Sequence, residues 1–504
     1  MEAINTLFLN FPKSEFSDYC EIAIELLKKD PKILELIEED LEKKGKKKKL
    51  ERLKDREWEM AQTKSLPIME IEEKEKTIED IKLGNGRPRM TAFSTYLFME
   101  TRGYYGGIKT NLTDVFMKES MTLLLILENH GEKMPGKSTI LDNINSVSNE
   151  TRQYIFDAQI KMIYEEGLDN FKEQTIDSTA VKGNSCWPKD SNLMLNLVAR
   201  IFRIGSRLNK FGMANIKGSY FPGIIRKLKS LSNKINMEAG KPNSKKKRRK
   251  HYRKIINYVE RAITLYEIEI TKVETASKLL QIKPSKISKF EHSFETMMED
   301  LEHLKKIKDY CEKRIFEEET IPAKDKVMSL SDSSAAYIEK GNRDAIIGYK
   351  PQLVRSRQGF VTSLFVPEGN ASDSGQLDSV MRDSFTRTRV IPFVVSADDG
   401  YVNKGVRETF FKMGVNTVSF SGSKGKRLLT SDEWDSDEYI DARNDRSSVE
   451  SLMFTIKYGF NFERVMRRGI NNVRAELNEK VVAYNFCRIL EIRKRNLIPL
   501  KLAA

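Results

Sequence analysis

VSADDGYVNKGV, Val395–Val406, sets two adjacent aspartates directly after an apolar run. The residues leading into it, RVIPFVV, are rich in β-branched and aromatic side chains and read as a strand. Asp398 and Asp399 therefore stand at a strand end, where open α/β sheets gather their reactive groups. The carboxylates also need a purpose in a chain whose formal net charge is +14.

Working outward, KGVRETFFKMG reads as a helix, VNTVSFSG as a strand and DRSSVESLMFTIKYGF as a helix. Upstream, KVMSLSD, DAIIGYKPQLVRS and QGFVTSLFVPEGN read as strands and SDSGQLDSVMRDSFTRT as a helix. FKEQTIDSTAVKG, much earlier, is a short β-like run that contains Asp177. This order predicts a mixed α/β domain, split by a helical and charged stretch from about residue 205 to 319. Heptad-like positions in that stretch predict a long antiparallel helical pair. The basic run KPNSKKKRRKHYRKI, Lys241–Ile255, reads as an interruption of the helices, either a DNA contact or a solvated loop.

Toward the N-terminus, residues from Ile4 to about Ile81 read as helix after helix, with a lysine block from Lys43 to Lys49 that is either a phosphate contact or a solvated helix end or flexible arm. A glycine–proline break, GNGRPRM, precedes further helical patterns that suit a helix-turn-helix module or generic three-helix packing. Gly131, Gly136, Lys137 and Ser138 match a phosphate-loop pattern, but the preceding LLLILEN reads as helix where such a loop needs a strand. Ser138 is instead a candidate helix cap. The resulting division is 1–83 helical and charged, 84–168 helical and DNA-binding, 169–204 the first part of the α/β domain, 205–321 a basic helical insertion, 322–493 its second part and 494–504 a tail.

Bulk properties narrow the function. A length of 504 residues suits two or three domains, and 39% hydrophobic with 32% charged residues is globular. The positive charge calls for a polyanion, nucleic acid ahead of anionic membrane. MTLLLIL is far too short to span a bilayer, and the first residues lack the basic and apolar regions of a signal peptide. Cys20, Cys186, Cys311 and Cys487 are scattered, as in a reducing cytoplasm, and the four histidines form no zinc motif.

Asp177, Asp398 and Glu450, on two strands and a later helix, make a carboxylate set of the kind that Mg²⁺ or Mn²⁺ prefers. Two such ions can activate a nucleophile and stabilise a leaving oxygen at phosphorus. Around Glu450, Val449, Met453, Ile456 and Phe460 form an apolar stripe, while Arg446 and Lys457 share the glutamate's stripe. Cations beside a metal-binding glutamate suit a phosphate substrate, and a solvated Arg–Glu–Lys row gives the same spacing.

IDSTAV, VSADDGYVNKG and DRSSVESLMFTIKYGFNFERVMRRG, in that order, resemble the motifs of DDE transposases of bacterial insertion sequences. DAIIGYKPQLVRS and GFVTSLFVPEGNASDS resemble that family's second and third strands, and VVAYNFCRIL its closing helix. The resemblance implies a ribonuclease H-like mixed sheet, with Asp177, Asp398 and Glu450 as the catalytic, metal-holding residues and Asp399 as the variable residue of the turn. Arg446, Glu450 and Lys457 match the family's Y-x2-R-x3-E-x6-K signature, whereas Arg443 stands where tyrosine is expected. Asp190, Asp332 and Asp378 read as caps, turns or surface carboxylates, and Trp187 and Trp434 as packing anchors or base-stacking groups.

The resemblance also implies metal-dependent cleavage at insertion-sequence ends and strand transfer into target DNA, in the cytoplasm and on the nucleoid. A homo-oligomer would act on double-stranded DNA, with the N-terminal helices reading the terminal inverted repeats. The phosphate-binding set in this reading is Arg446, Lys457 and the run Lys245, Lys246, Lys247, Arg248, Arg249 and Lys250. Two other readings stand beside it: a ribonuclease H-like nuclease without strand transfer, and a non-catalytic DNA-binding protein derived from a transposase.

Overall fold

Strand β1 (Glu173–Ser178) is the middle strand around which the α/β part of the chain is organised. The structure is a computed structural model that describes residues 14–63, 77–83, 89–106, 120–185, 189–210, 220–275, 283–322, 325–339 and 344–502. Cys186, Trp187, most of the glycine–proline break and the start of the first helical pattern lie outside these residues.

Before β1 come helices α1 (Glu15–Lys29), α2 (Lys32–Thr63), α3 (Ala92–Tyr104), α4 (Met121–Asn129), α5 (Lys137–Ile144) and α6 (Asn149–Glu165). Ser14 and Ser17 form a capping box at the start of α1, and Ser148 accepts from the Thr151 amide at the start of α6. Gly136, not Ser138, is the N-cap of α5. A helix, α4, precedes the phosphate-loop-like residues, so the strand that such a loop needs is missing there. The lysines from Lys43 to Lys49 lie inside α2, not at a helix end.

After β1 and the short β2 (Val181–Lys182) come four helices: α7 (Asp190–Lys210), α8 (Phe221–Met237), α9 (Ser244–Thr275) and α10 (Pro284–Glu312). The chain then forms β3 (Ala336–Ile338), β4 (Ile346–Tyr349), β5 (Gln352–Ser356) and β6 (Val361–Phe365). Helix α11 (Asp373–Thr388), β7 (Val394–Ala397), α12 (Lys404–Met413) and β8 (Thr417–Phe420) follow. Helices α13 (Ser423–Lys426), α14 (Ser431–Trp434), α15 (Asp437–Asp445), α16 (Ser448–Gly459) and α17 (Ile470–Leu502) complete it.

These elements form two compact units. One comprises residues 1–44, 85–185 and 332–504, the other 45–84 and 186–331. In the second, α7 to α10 share one apolar core that includes Leu197, Ile201, Leu228, Ile255, Val259, Leu301 and Leu304. The expected helical pair is thus part of a four-helix core. The basic run is corrected as well: Lys245, Lys246, Lys247, Arg248, Arg249 and Lys250 occupy the first turns of α9 rather than a loop.

In the first unit a five-stranded mixed sheet has the order β6-β5-β1-β7-β8, antiparallel between β1, β5 and β6 and parallel between β1, β7 and β8. Ile176, Val354, Val395 and Val418 turn one face of it onto Leu377, Val380 and Met381 of α11. Two expected strands are corrected. KVMSLSD forms none, and DAIIGYKPQLVRS divides into β4 and β5, which join different sheets. The second sheet, β2-β4-β3, depends on Gly348, because a Cβ there would run into the Val181 carbonyl.

Helix α17 joins the sheet to the N-terminal helices. Asn485 bonds both the amide and the carbonyl of Val361 at 2.9 Å, while Phe486 meets Tyr19 of α1 edge-on. Its Glu479 is buried and receives Arg102 of α3 at 2.6 and 2.9 Å and Arg152 of α6 at 2.9 Å. Helix α3 is buried along nearly its whole length.

Burial raises the pKa of Glu100 on α3 to about 8, and the Glu479 charge adds to the rise. The folded chain keeps this proton up to about pH 8, whereas an unfolded chain releases it near 4.5. The group's stabilising effect is therefore complete below about 4.5 and is lost as pH rises through about 8. Urea unfolding across that window should show Glu100→Gln losing less stability with rising pH than the wild type. Parallel curves for the two proteins would contradict the assignment.

Candidate functional site

The parallel pairing of β1 and β7 matches Ile176 with Ala397, so the next residue in each segment is an aspartate, Asp177 on β1 and Asp398 directly after β7. Ile176 and Ala397 point into the core under α11, and the pleat turns Asp177 to the opposite face. Asp177 is 6% exposed, and its Oδ1 accepts from the Ser178 amide at 2.6 Å. Asp398 caps a 3-10 turn, Asp399–Tyr401, accepting from the Gly400 amide at 2.8 Å.

Glu450 comes from α16. Val449, Leu452, Met453 and Ile456 are buried on one side of that helix, which fixes its rotation and leaves Glu450 on the other. Arg446 lies just before α16, in the break that separates it from α15. Its backbone keeps helical angles, so the spacing of four residues to Glu450 still works across the break. The guanidinium reaches Glu450 Oε1 at 3.3 Å and Asp177 Oδ2 at 3.8 Å, and its Nε is buried without a hydrogen-bond partner.

Asp177, Asp398, Arg446, Glu450 and Lys457 all line one cavity of about 890 Å³. Lys182, Asp344, Met453, Phe454, Tyr458 and Glu463 border it as well. Among the described residues, no three His, Cys, Asp or Glu side chains are gathered closely enough to hold a metal ion as they stand. The reason is visible for two of the three carboxylates, because a guanidinium sits between Asp177 and Glu450. The donors themselves fit a hard divalent cation, being carboxylate oxygens that line one cavity. The Glu450 side chain is 65% exposed and so keeps its rotamer freedom.

Asp399 has another task. Its carboxylate accepts from the Gly425 amide at 2.9 Å and the Lys424 amide at 3.0 Å, holding the start of α13. Burial alone would raise its pKa, but the bonds from the Lys424 and Gly425 amides and the Ser423 hydroxyl outweigh this and hold it below the usual range. Arg443 is also engaged, lying 4.1 Å from the Trp434 ring centre.

The remaining singled-out carboxylates lie apart from the cavity lining. Asp190 pairs with Arg314, Asp332 accepts from the Tyr349 hydroxyl at 2.6 Å, and Asp378 pairs with Arg382 at 2.8 Å on the surface. The basic run belongs to the other compact unit, where Lys245 meets Glu318 at 2.8 Å and Lys247 meets Glu238 at 3.6 Å.

Sequence reasoning passed over a supporting layer. Tyr401 is fully buried and donates to Gln352, whose amide donates to Asp373 at 3.1 Å, and Asp373 pairs with Lys350 at 2.8 Å. Burial lifts the Tyr401 phenol well above its usual value, and the charges of Asp373, Asp177 and Asp398 add to it. The tyrosine was visible in the quoted turn. Its partners come from a strand and a helix with no motif of their own.

Residues 314–486 match the sequence profile of the family described as transposase DDE domain, a span that contains Asp398, Arg446, Glu450 and Lys457 and begins after Asp177. No curated protein and no solved structure matches the chain.

Replacing Asp399 by alanine should lower stability by about 0.5–2 kcal/mol, the usual effect of losing a helix cap. Because its folded pKa is depressed, that contribution exists above the unfolded value near 3.8 and disappears as pH falls through the folded one. Denaturation at neutral and strongly acidic pH checks both points. A variant as stable as the wild type at neutral pH would remove the capping role.

Proposed function

We propose, from the match of residues 314–486 to the transposase DDE domain family, a DNA transposase with a ribonuclease H-like catalytic fold. It cleaves DNA at insertion-sequence ends with divalent metal and joins the freed 3′ end to target DNA. The observation that carries the reading is the β1–β7 register, which sets Asp177 beside Asp398 while Arg446 links Asp177 to Glu450.

Asp177, Asp398 and Glu450 are the residues that would hold Mg²⁺ or Mn²⁺, two ions in all. When bound, the ions supply positive charge and Lewis acidity at the phosphate. Arg446 has a buried Nε with no partner beside the carboxylates, a donor suited to a phosphate oxygen. Lys457 lines the same cavity and adds a point charge to the clamp. Tyr401, Gln352 and Asp373 keep the floor of the site rigid, so that the aspartates are held before the substrate arrives.

The basic run on α9 is a second DNA contact in this reading. Cations in the first turns of a helix oppose its dipole, so an anion beside them is favoured, and DNA phosphate would add to the carboxylates of Glu318 and Glu238. The helices before β1 would recognise terminal inverted repeats, and the basic helical insertion would hold flanking or target DNA. The enzyme would act as a homo-oligomer on the nucleoid in a prokaryotic cytoplasm. Among the described residues no helix is long and apolar enough to cross a membrane.

A single-turnover cleavage assay on DNA from the ends flanking the coding sequence tests the site. Asp177→Ala, Asp398→Ala and Glu450→Gln should each abolish metal-dependent cleavage while the fold and DNA binding persist. Lys457→Ala should slow cleavage roughly 10–100-fold, the usual effect of losing a supporting group. Lys457→Arg should recover part of the rate. Cleavage unaffected by Asp398→Ala would refute the site, and pre-cut ends that are never joined to target DNA would leave a nuclease.

Neutralising Lys245, Lys246, Lys247, Arg248, Arg249 and Lys250 should weaken binding to all duplex sequences alike. The slope of log K against log salt should fall by about 0.9 for each DNA phosphate that the run no longer neutralises. An unchanged slope would limit this run to its ion pairs with Glu318 and Glu238.

A further inference from the structure

Two large aromatic side chains stand in water beside the acidic cavity. Phe454 is 65% and Tyr458 69% exposed, although side chains of this kind normally contribute their area to a core. They lie one helical turn apart on α16, with ring centroids 4.6 Å apart and planes tilted by 51°. Both line the cavity that Asp177, Asp398 and Glu450 border, and Lys457, which lines it too, lies between them in sequence. The opposite side of α16 is anchored by Val449, Leu452 and Ile456, so the aromatic pair is presented on a fixed support.

The chemistry of this surface specifies its ligand. Exposed ring faces take another π-face, and the adjacent ammonium takes a phosphate. A nucleotide brings a π-face and a phosphate together in one ligand. A base inside a duplex has both faces covered by its neighbours, so only an unstacked base can use the rings. A cavity of about 890 Å³ has room for more than the phosphate.

We propose that Phe454 and Tyr458 are positioning residues that stack an unpaired nucleobase next to the phosphate held at the acidic site. The identification of the ligand as DNA rests on the transposase reading. Stacking needs no hydrogen-bonding edge, so the pair accepts any base. The stacking contact offsets part of the cost of unpairing the base.

The test uses the whole chain and fluorescence anisotropy without divalent ions. One probe is a blunt random-sequence duplex, and the other is the same duplex with a three-nucleotide unpaired 3′ end. One stacked base corresponds to about 5- to 150-fold in affinity, so the wild type should prefer the unpaired end by at least about fivefold. The Phe454→Ala/Tyr458→Ala double variant should lose this preference and keep its affinity for the blunt duplex. Tyr458→Phe should keep the preference, since the ring remains. Both side chains are exposed, so the melting temperature should stay within about a degree or two of the wild type.

A wild type without the preference, or a double variant that retains it, would overturn the proposal. Because the readout is binding without metal, it is independent of cleavage. Absence of cleavage would defeat the transposase reading and leave the stacking result standing, and the reverse combination would do the opposite.

Discussion

Glu479 is the charge around which the first compact unit is assembled. Burial by itself would raise its pKa, yet Arg102, Arg467 and Arg152 outweigh that effect and hold it well below the usual carboxylate range. Each arginine comes from a different stretch of chain, so one side chain fixes α3, α6 and the segment after α16 against α17. Glu476, three residues earlier, accepts from the backbone amides of Met466 and Arg467, while the fully buried Lys480 donates to the carbonyls of Asn461 and Arg464. The segment from Asn461 to Arg467 thus hangs from one face of α17 by charge-assisted bonds. Since α16 ends where this segment begins, the position of Glu450 is inherited from a buried ionic cluster whose charged side chains are not among those lining the cavity.

Such an arrangement is a poor source of net stability, because desolvating the charges costs about as much as pairing them returns. Its value is specificity. Removing Glu479 would deprive the buried Arg102 and Arg152 of their shared carboxylate, so alternative packings of α3, α6 and α17 are strongly disfavoured. The catalytic reading asks for that kind of determinacy, since carboxylates on two strands and a helix must meet at one cavity.

Much of this was legible in the sequence. The apolar stripe of α16 required Glu450 and Lys457 to share a face, and the turn after β7 put an aspartate at a strand end. The division of DAIIGYKPQLVRS between two sheets was not legible, because β-like composition runs through both strands and only the Lys350–Pro351 bend separates them. KVMSLSD shows β-like composition but finds no neighbouring strand to pair with. Glu479 is separated from Arg102 and Arg152 by hundreds of residues, and nothing local marks them as partners. The role of Arg443 is similar: its place over Trp434 depends on how α14 and α15 pack, not on spacing to Glu450.

The middle position of β1 also bears on how the protein is made. Both of its sheet neighbours, β5 and β7, are encoded more than a hundred residues downstream of it. During synthesis β1 must leave the ribosome with both edges unpaired, while the four helices that follow can close their own core from nearby segments. The five-stranded sheet begins to form only when β5 arrives, and β1 is flanked on both sides only after β7. Until then the nascent chain carries an exposed strand edge, the feature by which unfinished chains most readily associate with one another.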